Sequence, residues 1–502
     1  MTLGDVLAIV RPEGGAQALE GLPASQVVSS VAYDSRRVHE GAVFVALRGL
    51  KADGAAFAAQ AVSRGAIAIV AETPRPEGMA VPWLQASDAR LALALLADRF
   101  YEHPSRRMAV IGVTGTNGKT TTAYLLASVL DAAGLPAGVM GTVSYRVGRE
   151  EREAARTTPE APDVQQLLAE MIDAGCRSAV MEVSSHALAM KRVDGMRFAA
   201  AIFTNLTRDH LDFHEDMESY FAAKRRLFEM LEGDAPAAIN ADDPRGASLV
   251  AVCRRAVTYG ITQPADVAPG PLTLALEGLS LDVRTPKGSV AIRSRLVGRP
   301  NVYNILAATA AAVALDLPLE AVAAGVRALP GVPGRFEVVS SPADAVTVVV
   351  DYAHTDDALR NLLETARPLA ARRLITVFGC GGDRDRTKRP LMGMVASRLS
   401  DVVVVTSDNP RSEDPARIIE EIRRGITPGA QGGRSPDVFS VVDRAEAIER
   451  AVQMAGEGDL ILVAGKGHEK YQQIGDRVLP FDDVAVARDA LARRRRARSK
   501  AM

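Results

Sequence analysis

A chain of 502 residues has room for about three domains at roughly 150 residues each. Its 47% hydrophobic and 24% charged residues are ordinary globular composition and exclude collagen-like, disordered and disulfide-scaffold classes. With 60 Lys and Arg against 61 Asp and Glu, the net charge of -1 provides no global field for nucleic acid or an anionic membrane, so any anion must be held locally.

The first hundred residues alternate β-rich and Ala-rich helical runs: GAVFVALRGL at 41–50, AAFAAQAVSRGAIAIV at 55–70 and ARLALALLADRF at 89–100. They predict a small α/β domain over 1–103. MAVIGVTG at 108–115 is an apolar strand entering a Gly-rich turn, and TTAYLLASVLDAAG then carries helical spacing and a glycine stop. A central domain is therefore expected over 104–334. Strands are predicted in CRSAVMEVS (176–184), FAAAIFTN (198–205) and APAAIN (235–240), with helices between, as in a parallel sheet covered on both faces. Around 257–297, VTYGI, LTLALEGLSLDVRT and GSVAIRSRLVG alternate like antiparallel hairpins, before NILAATAAAVALDL returns to helix. The Gly/Pro-rich LPGVPGRFEVV (329–339) reads as a hinge. A third domain, 335–502, follows with strands in AVTVVVDYA, RLITVFGC, DVVVVTSD and DLILVAG, predicting a Rossmann-like doubly wound sheet. The basic tail LARRRRARSKAM reads as a solvated, frayed end.

Three cysteines, Cys176, Cys253 and Cys380, lie far apart, which suggests no disulfide framework or thiolate zinc site and favours a reducing cytoplasm. No cationic segment followed by an apolar core opens the chain, and no window reaches the ~18 apolar residues of a membrane span. The expectation is a cytoplasmic protein.

The strongest motif is GVTGTNGKTT, 112–121. Backbone N–H groups freed by Gly115 and Gly118 can wrap phosphate oxygens, Lys119 can neutralise β/γ charge and Thr120 can ligate Mg²⁺. Strict Walker spacing would put a glycine at 113, where the chain has Val113 after Gly112, so the motif is a variant. MEVSSHALAMKR (181–192) ends a strand with Glu182, suited to a hard cation, and with Ser184, Ser185 and His186, suited to a polar pocket. TNLTRDHLDFH (204–214) carries Asp209, His210, Asp212 and His214; HLDFH lacks the glutamate of a zincin. Lys224 by pattern alone is a surface helix lysine. DYAHTDDAL, FGCGGDRDRTKRP, TSDNPRSEDP and AGKGHEKYQ each follow a predicted strand, so Asp351, His354, Arg384, Asn409, Arg411 and Glu469 are expected along one sheet edge.

In order along the chain, DSR with FVALRG, GTNGKTT, TTP at 157–159, EVSSH, NLTRDHLDFH, Lys224, PGRFE, DYAH and GCGGDRD resemble the Mur ligases, ATP-dependent amino-acid ligases of peptidoglycan synthesis. DNPR at 408–411 with GKGHE at 465–469 is similar to the branch that adds meso-2,6-diaminopimelate to UDP-N-acetylmuramoyl-L-alanyl-D-glutamate. The resemblance implies an amide-forming ligase acting through an acyl phosphate, with ATP and Mg²⁺ as cofactors, no nucleic-acid or membrane partner, and a monomeric state. It implies that Gly115, Thr116, Asn117, Gly118, Lys119, Thr120 and Thr121 hold ATP phosphates, and that Thr120, Glu182, His210 and a carbamylated Lys224 surround Mg²⁺. It further assigns Asn301 or Asn304, Arg335, Asp351 and His354 to the nucleotide, and Tyr33, Ser35, Leu50, Lys51 and Ala52 to the uridine end. Thr157, Thr158, Ser184 and Arg192 fall to the muramoyl-dipeptide, and Arg384, Asn409, Arg411, Gly465 and Glu469 to diaminopimelate. Two positions depart from the family pattern: Met190 stands where a glutamine is common, and Asp356 where DYAHTPDAL has proline. The nearest rival, folylpolyglutamate synthase, would share the phosphate loop and lysine but lack DNPR and GKGHE. A P-loop switch or a catalytically dead nucleotide-sugar-binding module would leave the other motifs unused.

Overall fold

The computed structural model describes residues 1–11, 23–49, 52–341, 343–426 and 435–501. Leu50 and Lys51, expected at the uridine end, lie outside them. An N-terminal parallel sheet is built from Ser30–Ala32, Ala42–Ala46, Ala66–Ala71 and Trp83–Gln85 in sequence order, with Ala89–Phe100 packed on it. Asp88 caps that helix, accepting from the Leu91 N–H.

The central sheet runs in the order Ala256–Tyr259, Ala237–Asn240, Ala200–Phe203, Ala109–Thr114, Ser178–Glu182, Ala137–Met140, Ser144–Val147, Glu150–Glu153. The first six are parallel, and the last two extend the edge antiparallel. Its middle strands are apolar runs because both faces are covered. Lys119–Ala132 and the alanine-rich Arg299–Ala314 bury one face, while Ala161–Asp173 and Met217–Glu229 bury the other. A separate antiparallel sheet, Ala268–Ala275, Gly278–Thr285 and Gly288–Ser294, matches the expected hairpins in part. VTYGI is instead the parallel edge strand of the central sheet, where Tyr259 is buried and its hydroxyl donates to the Phe203 carbonyl at 2.9 Å. Its short alternation suits a parallel edge strand as well as a hairpin arm, so periodicity could not separate the two.

The C-terminal sheet is ordered Glu337–Val338, Thr347–Asp351, Leu460–Ala464, Leu374–Phe378, Val402–Val405, Asp437–Ser440. All pairs are parallel except the two-residue edge supplied by the hinge segment. The four motif-bearing strands therefore end on one side, as their order in the sequence predicts. A small hairpin, Tyr471–Ile474 with Arg477–Pro480, was not foreseen. Nor was the basic tail's structure: Asp483–Ala501 is helical, with Arg493 paired to Glu449 and Arg495 hydrogen-bonded to Asp344 at 2.5 Å. No helix among the described residues is long and apolar enough to cross a membrane.

Asp483 opens that last helix and is fully buried against Arg444, which donates to both its carboxylate oxygens at 2.8 and 2.7 Å. The same guanidinium donates to the carbonyls of Ser407 and Ala464, at the ends of two motif-bearing strands. Removing one partner strands the other charge in a dry interior. Arg444→Met is expected to lower stability by about 3–5 kcal/mol, measured as a shift in the urea unfolding midpoint; a midpoint within experimental error of wild type would contradict this.

Candidate active site

The phosphate loop leaves the strand Ala109–Thr114 and enters the helix beginning at Lys119. Gly118 adopts φ +85°, and a Cβ there would meet Asn304 Oδ1 at 2.4 Å, so only glycine fits both the backbone and the neighbour. Asn304 is fixed in turn, its amide donating to Asn301 Oδ1 and its oxygen accepting from Thr122. Lys119 Nζ donates to the Gly115 and Thr116 carbonyls at 3.0 and 2.8 Å. Lys224 reaches the same Gly115 oxygen at 2.8 Å from the opposite face. It is 1% exposed and lies 4.4 Å from the Tyr220 ring centroid, so the pattern-based reading of a surface lysine is wrong. Amphipathic spacing could not reveal this, because the helix Met217–Glu229 turns its apolar face onto a sheet whose end is polar. Burial, reinforced by Lys119, holds the Lys224 amine well below the usual lysine range; burial also lowers Lys119, against the pull of Glu182 and Asp209.

Glu182 ends the adjacent strand and is buried. Its two oxygens accept from the Thr142 N–H at 2.7 Å and the Thr142 hydroxyl at 3.0 Å. Gly141 leaves room for it, since a Cβ there would meet Glu182 Oε1 at 2.4 Å. The Thr142 hydroxyl also contacts Thr157 at 3.0 Å, and Thr158 donates to the Glu182 carbonyl at 2.8 Å while accepting from the Ser184 N–H. Ser184 caps the short helix after the strand. Arg192 donates to the Thr158 carbonyl at 2.9 Å, pairs with Glu160 at 2.7 Å and meets Met190 Sδ at 3.4 Å. Its Nε is buried without a partner. Thr157, Thr158, Ser184 and Arg192 thus share one wall with Glu182. The N-terminal sheet joins this wall through Tyr33, whose hydroxyl donates to Asp163 at 2.6 Å, whereas Ser35 is occupied by Gln60 at 2.7 Å. The Ala52 carbonyl accepts from the Gly49 N–H at 2.9 Å.

His210 sits at φ +55°, a conformation that costs a non-glycine residue of order 1–3 kcal/mol and that clusters at functional sites. Its ring lies edge-on to His186, at 4.9 Å between centroids, and beside Asp209 at 3.4 Å. Burial would raise Asp209, but His210, His354 and Lys388 together draw it down. Among the described residues no three His, Cys, Asp or Glu side chains converge as a ready-made metal cage. The buried, pre-oriented Glu182 carboxylate is an oxygen donor of the kind a hard cation such as Mg²⁺ takes.

Across the cleft, Arg335 Nη2 donates to Thr120 Oγ1 at 3.2 Å and stacks 4.6 Å over Tyr352. Asp351 accepts from the N–H groups of Phe336 and Ala353, and burial raises its carboxyl above the usual range. His354 Nδ1 lies 3.0 Å from the Tyr352 carbonyl. Further along the edge, Asn409 Nδ2 donates to Glu469 at 2.9 Å, and Gly465 at φ +119° carries the chain past Asp408. Arg411 and Arg384 lie nearby but are turned onto main-chain carbonyls, Gly382 at 2.7 Å and Asp383 at 3.3 Å, and Arg384 is exposed.

Sequence reasoning missed several residues that hold this arrangement. Asn205 accepts from the Asn117 N–H at 2.9 Å, and its place in the TNLT burst at a strand end was the available signal. Thr142 has no such signal. Lys466, within GKGHE, is fully buried and donates to Asn409 at 3.1 Å and Glu469 at 2.9 Å.

Burial pushes His186, His210 and His354 down to about 4, and His468 to about 3. In the unfolded chain each returns to roughly 6.5. Between those values the unfolded chain binds protons that the native one refuses, so stability is full above about 6.5 and falls as pH drops toward 4. The urea midpoint at fixed ionic strength should therefore decline already between about pH 6.5 and 5, above the range of the lowered carboxylates; a flat midpoint there would show that these rings are not held neutral.

Three family descriptions match the chain: "Mur ligase family, catalytic domain" over 27–101, "Mur ligase middle domain" over 113–312 and "Mur ligase, glutamate ligase domain" over 334–467. The chain is 50% identical over 497 residues, 98% of each chain, to the UDP-N-acetylmuramoyl-L-alanyl-D-glutamate--2,6-diaminopimelate ligase of Solibacter usitatus. It is 47% identical over 504 residues, 96% of this chain and 97% of the relative, to the ligase of the same name from Geobacter metallireducens. Among solved structures, one of a UDP-N-acetylmuramoyl-L-alanyl-D-glutamate--2,6-diaminopimelate ligase superposes with a TM-score of 0.69 at 35% identity, covering 99% of this chain and 100% of that one. Folylpolyglutamate synthase of Mycobacterium tuberculosis shares the fold at 20% identity and a TM-score of 0.62, over 80% of this chain and 94% of that one. With this full-length likeness, the chain belongs to the Mur ligase family.

Proposed function

We propose that the chain is the ATP-dependent ligase that joins meso-2,6-diaminopimelate to the D-glutamate of UDP-N-acetylmuramoyl-L-alanyl-D-glutamate, in peptidoglycan precursor synthesis. The observation that carries this reading is the 50% identity over 98% of both chains to a ligase of that name. ATP and Mg²⁺ use follows from the family. The reading divides the chain at 103/104 and 334/335 into UDP-substrate, ATP and amino-acid domains, and it places the work in the cytoplasm.

Amide formation from a carboxylate and an ammonium is uphill in water, so the acid is activated first. In the proposed route the D-glutamate side-chain carboxylate attacks the γ-phosphorus of ATP, the bond to the bridging oxygen breaks and ADP leaves. The free amine of diaminopimelate then adds to the acyl carbon, loses a proton, and phosphate departs with the electrons of the C–O bond. Lys119, released from the Gly115 and Thr116 carbonyls, is placed to offset charge on the transferring group, where phosphoryl-transfer enzymes gain most of their rate. Thr120 and Glu182 offer Mg²⁺ oxygens and His210 a nitrogen; the bound ion supplies charge neutralisation on the phosphates. Asn301, Asn304, Arg335, Asp351 and His354 are assigned to the nucleotide. Tyr33, Ser35, Thr157, Thr158, Ser184 and Arg192 are assigned to the UDP-muramoyl-dipeptide. The unpartnered Nε of Arg192 supports that assignment, because a buried donor without an acceptor favours a ligand that brings one.

Lys224 is proposed to be carbamylated. The reaction needs a neutral amine to attack CO₂ and release one proton, and burial favours the neutral form of this amine. The product replaces that amine beside the phosphates with an anion able to hold or orient Mg²⁺. Lys224→Ala should lose activity by orders of magnitude and recover part of it with added short carboxylic acids; full activity of an enzyme that shows no carbamate carbon signal by NMR at neutral pH in ¹³C-labelled bicarbonate would refute the modification.

Amino-acid choice is assigned to Arg411, Arg384, Asn409, Gly465 and Glu469. Diaminopimelate differs from lysine by a distal carboxylate, for which the planar fork of Arg411, now on the Gly382 carbonyl, is the apt partner. With lysine the guanidinium keeps only the Gly382 carbonyl and forgoes a charge-assisted pair worth about 2 kcal/mol, so discrimination of at least roughly tenfold is expected. Arg411→Ala should raise KM for diaminopimelate steeply and leave that for the UDP-substrate nearly unchanged; wild-type enzyme that uses L-lysine equally well would overturn this choice of amino acid.

A further inference from the structure

Arg208 immediately precedes Asp209 and His210, yet its side chain leaves their loop and crosses to the C-terminal domain. Nη1 donates to Thr387 Oγ1 at 2.9 Å, Nη2 donates to Asp356 Oδ1 at 3.1 Å, and Asp385 Oδ2 stands 3.8 Å from Nη1. Asp356 is the first residue of the helix Asp356–Ala366, whose start is capped by Thr355. An acidic residue is favoured at that position by the helix dipole, but proline, which the family pattern has here, would start the helix equally well. The carboxylate is therefore not needed for the helix. Asp385 and Thr387 belong to the loop that carries Arg384, and Asp385 Oδ1 fixes Thr387 by accepting from its N–H at 2.8 Å and its hydroxyl at 2.6 Å. Beside this contact, Asp357 accepts from Asn117 of the phosphate loop at 2.9 Å. One guanidinium thus joins the loop of Asp209 and His210 to both the helix after DYAH and the loop after GCGG.

We propose that Arg208 is a positioning residue, a clasp across the cleft that holds the amino-acid-binding loop in register with the phosphate-binding loop, and that Asp356 is the anion this chain adds to it. The proposal rests on the ligase reading above, since only a reaction between groups held on two domains needs such register. Misplacement by about 1 Å costs such a reaction up to roughly a hundredfold, although partly exposed ion pairs like these add little to folding stability. The clasp should accordingly show in turnover and in its salt dependence rather than in unfolding.

The test is steady-state kinetics of the full chain with ATP, Mg²⁺, UDP-substrate and diaminopimelate, repeated at rising ionic strength. Arg208→Met should lower kcat or raise KM for diaminopimelate, by roughly three- to tenfold in kcat/KM. KM for the UDP-substrate should stay within twofold or so, and part of the wild-type salt sensitivity should vanish. Asp356→Pro/Asp385→Asn keeps Arg208 and the helix start but removes both anions; it should reproduce most of the effect. The triple variant should be no worse than Arg208→Met alone. Losses that simply add, or wild-type kcat/KM for diaminopimelate in either variant, overturn the clasp. If Arg208→Met folds poorly, the double variant decides by the same criterion. Wild-type enzyme inactive with diaminopimelate would instead sink the ligase reading. The clasp would then stand or fall on small-angle scattering, where an Arg208→Met profile identical to wild type counts against it.

Discussion

One main-chain oxygen, the carbonyl of Gly115, receives both Lys119 and Lys224. Two amines brought from separate helices to a single neutral acceptor, in a buried place, cannot both be comfortable as ammonium ions. The remainder of the site is arranged around that tension. Glu182 and Asp209 lend negative charge from two flanking strand ends, and Lys119 gives up part of its own basicity. Charge on Lys119 is therefore costly where it stands, and a polyphosphate would relieve that cost. In this sense the loop itself specifies the charge of its ligand.

That placement needs walls that do not yield, and the fold provides them by parallel strand order. Both larger sheets send their motif-bearing strands out on one side, so each functional loop begins from a strand with both faces buried. The side chains that close the cleft are short or branched into two hydrogen bonds: Thr142 on Glu182, Asn205 on Asn117, Lys466 on Asn409 and Glu469. Each fixes an orientation as well as a distance, and together they make a polar interior in which the large majority of groups have partners.

The layers were legible in the sequence wherever apolar periodicity is strong, as in AVTVVVDYA or ARLALALLADRF. The candidate residues were legible wherever a polar burst follows such a run. What stayed hidden were contacts made by residues with no local anomaly. Thr142 lies in an ordinary turn, the strand Glu150–Glu153 reads as pure surface charge, and the tail helix Asp483–Ala501 depends on one buried aspartate meeting an arginine 39 residues earlier. Lys224 shows the limit most clearly. Its neighbours in sequence are those of a solvated helix, and only the fold brings its amine to the Gly115 carbonyl. The departure at Asp356 was visible as an oddity, but its partner, 148 residues earlier, was not.

Gly141 has a consequence of another kind. The space where a side chain would begin is occupied by a Glu182 oxygen, 2.4 Å from any Cβ placed there. An alanine there would push the Glu182 carboxylate away from the Thr142 groups that hold it. The missing side chain at 141 thus shapes the site as firmly as the side chains that line it, because it sets where the Glu182 carboxylate can rest.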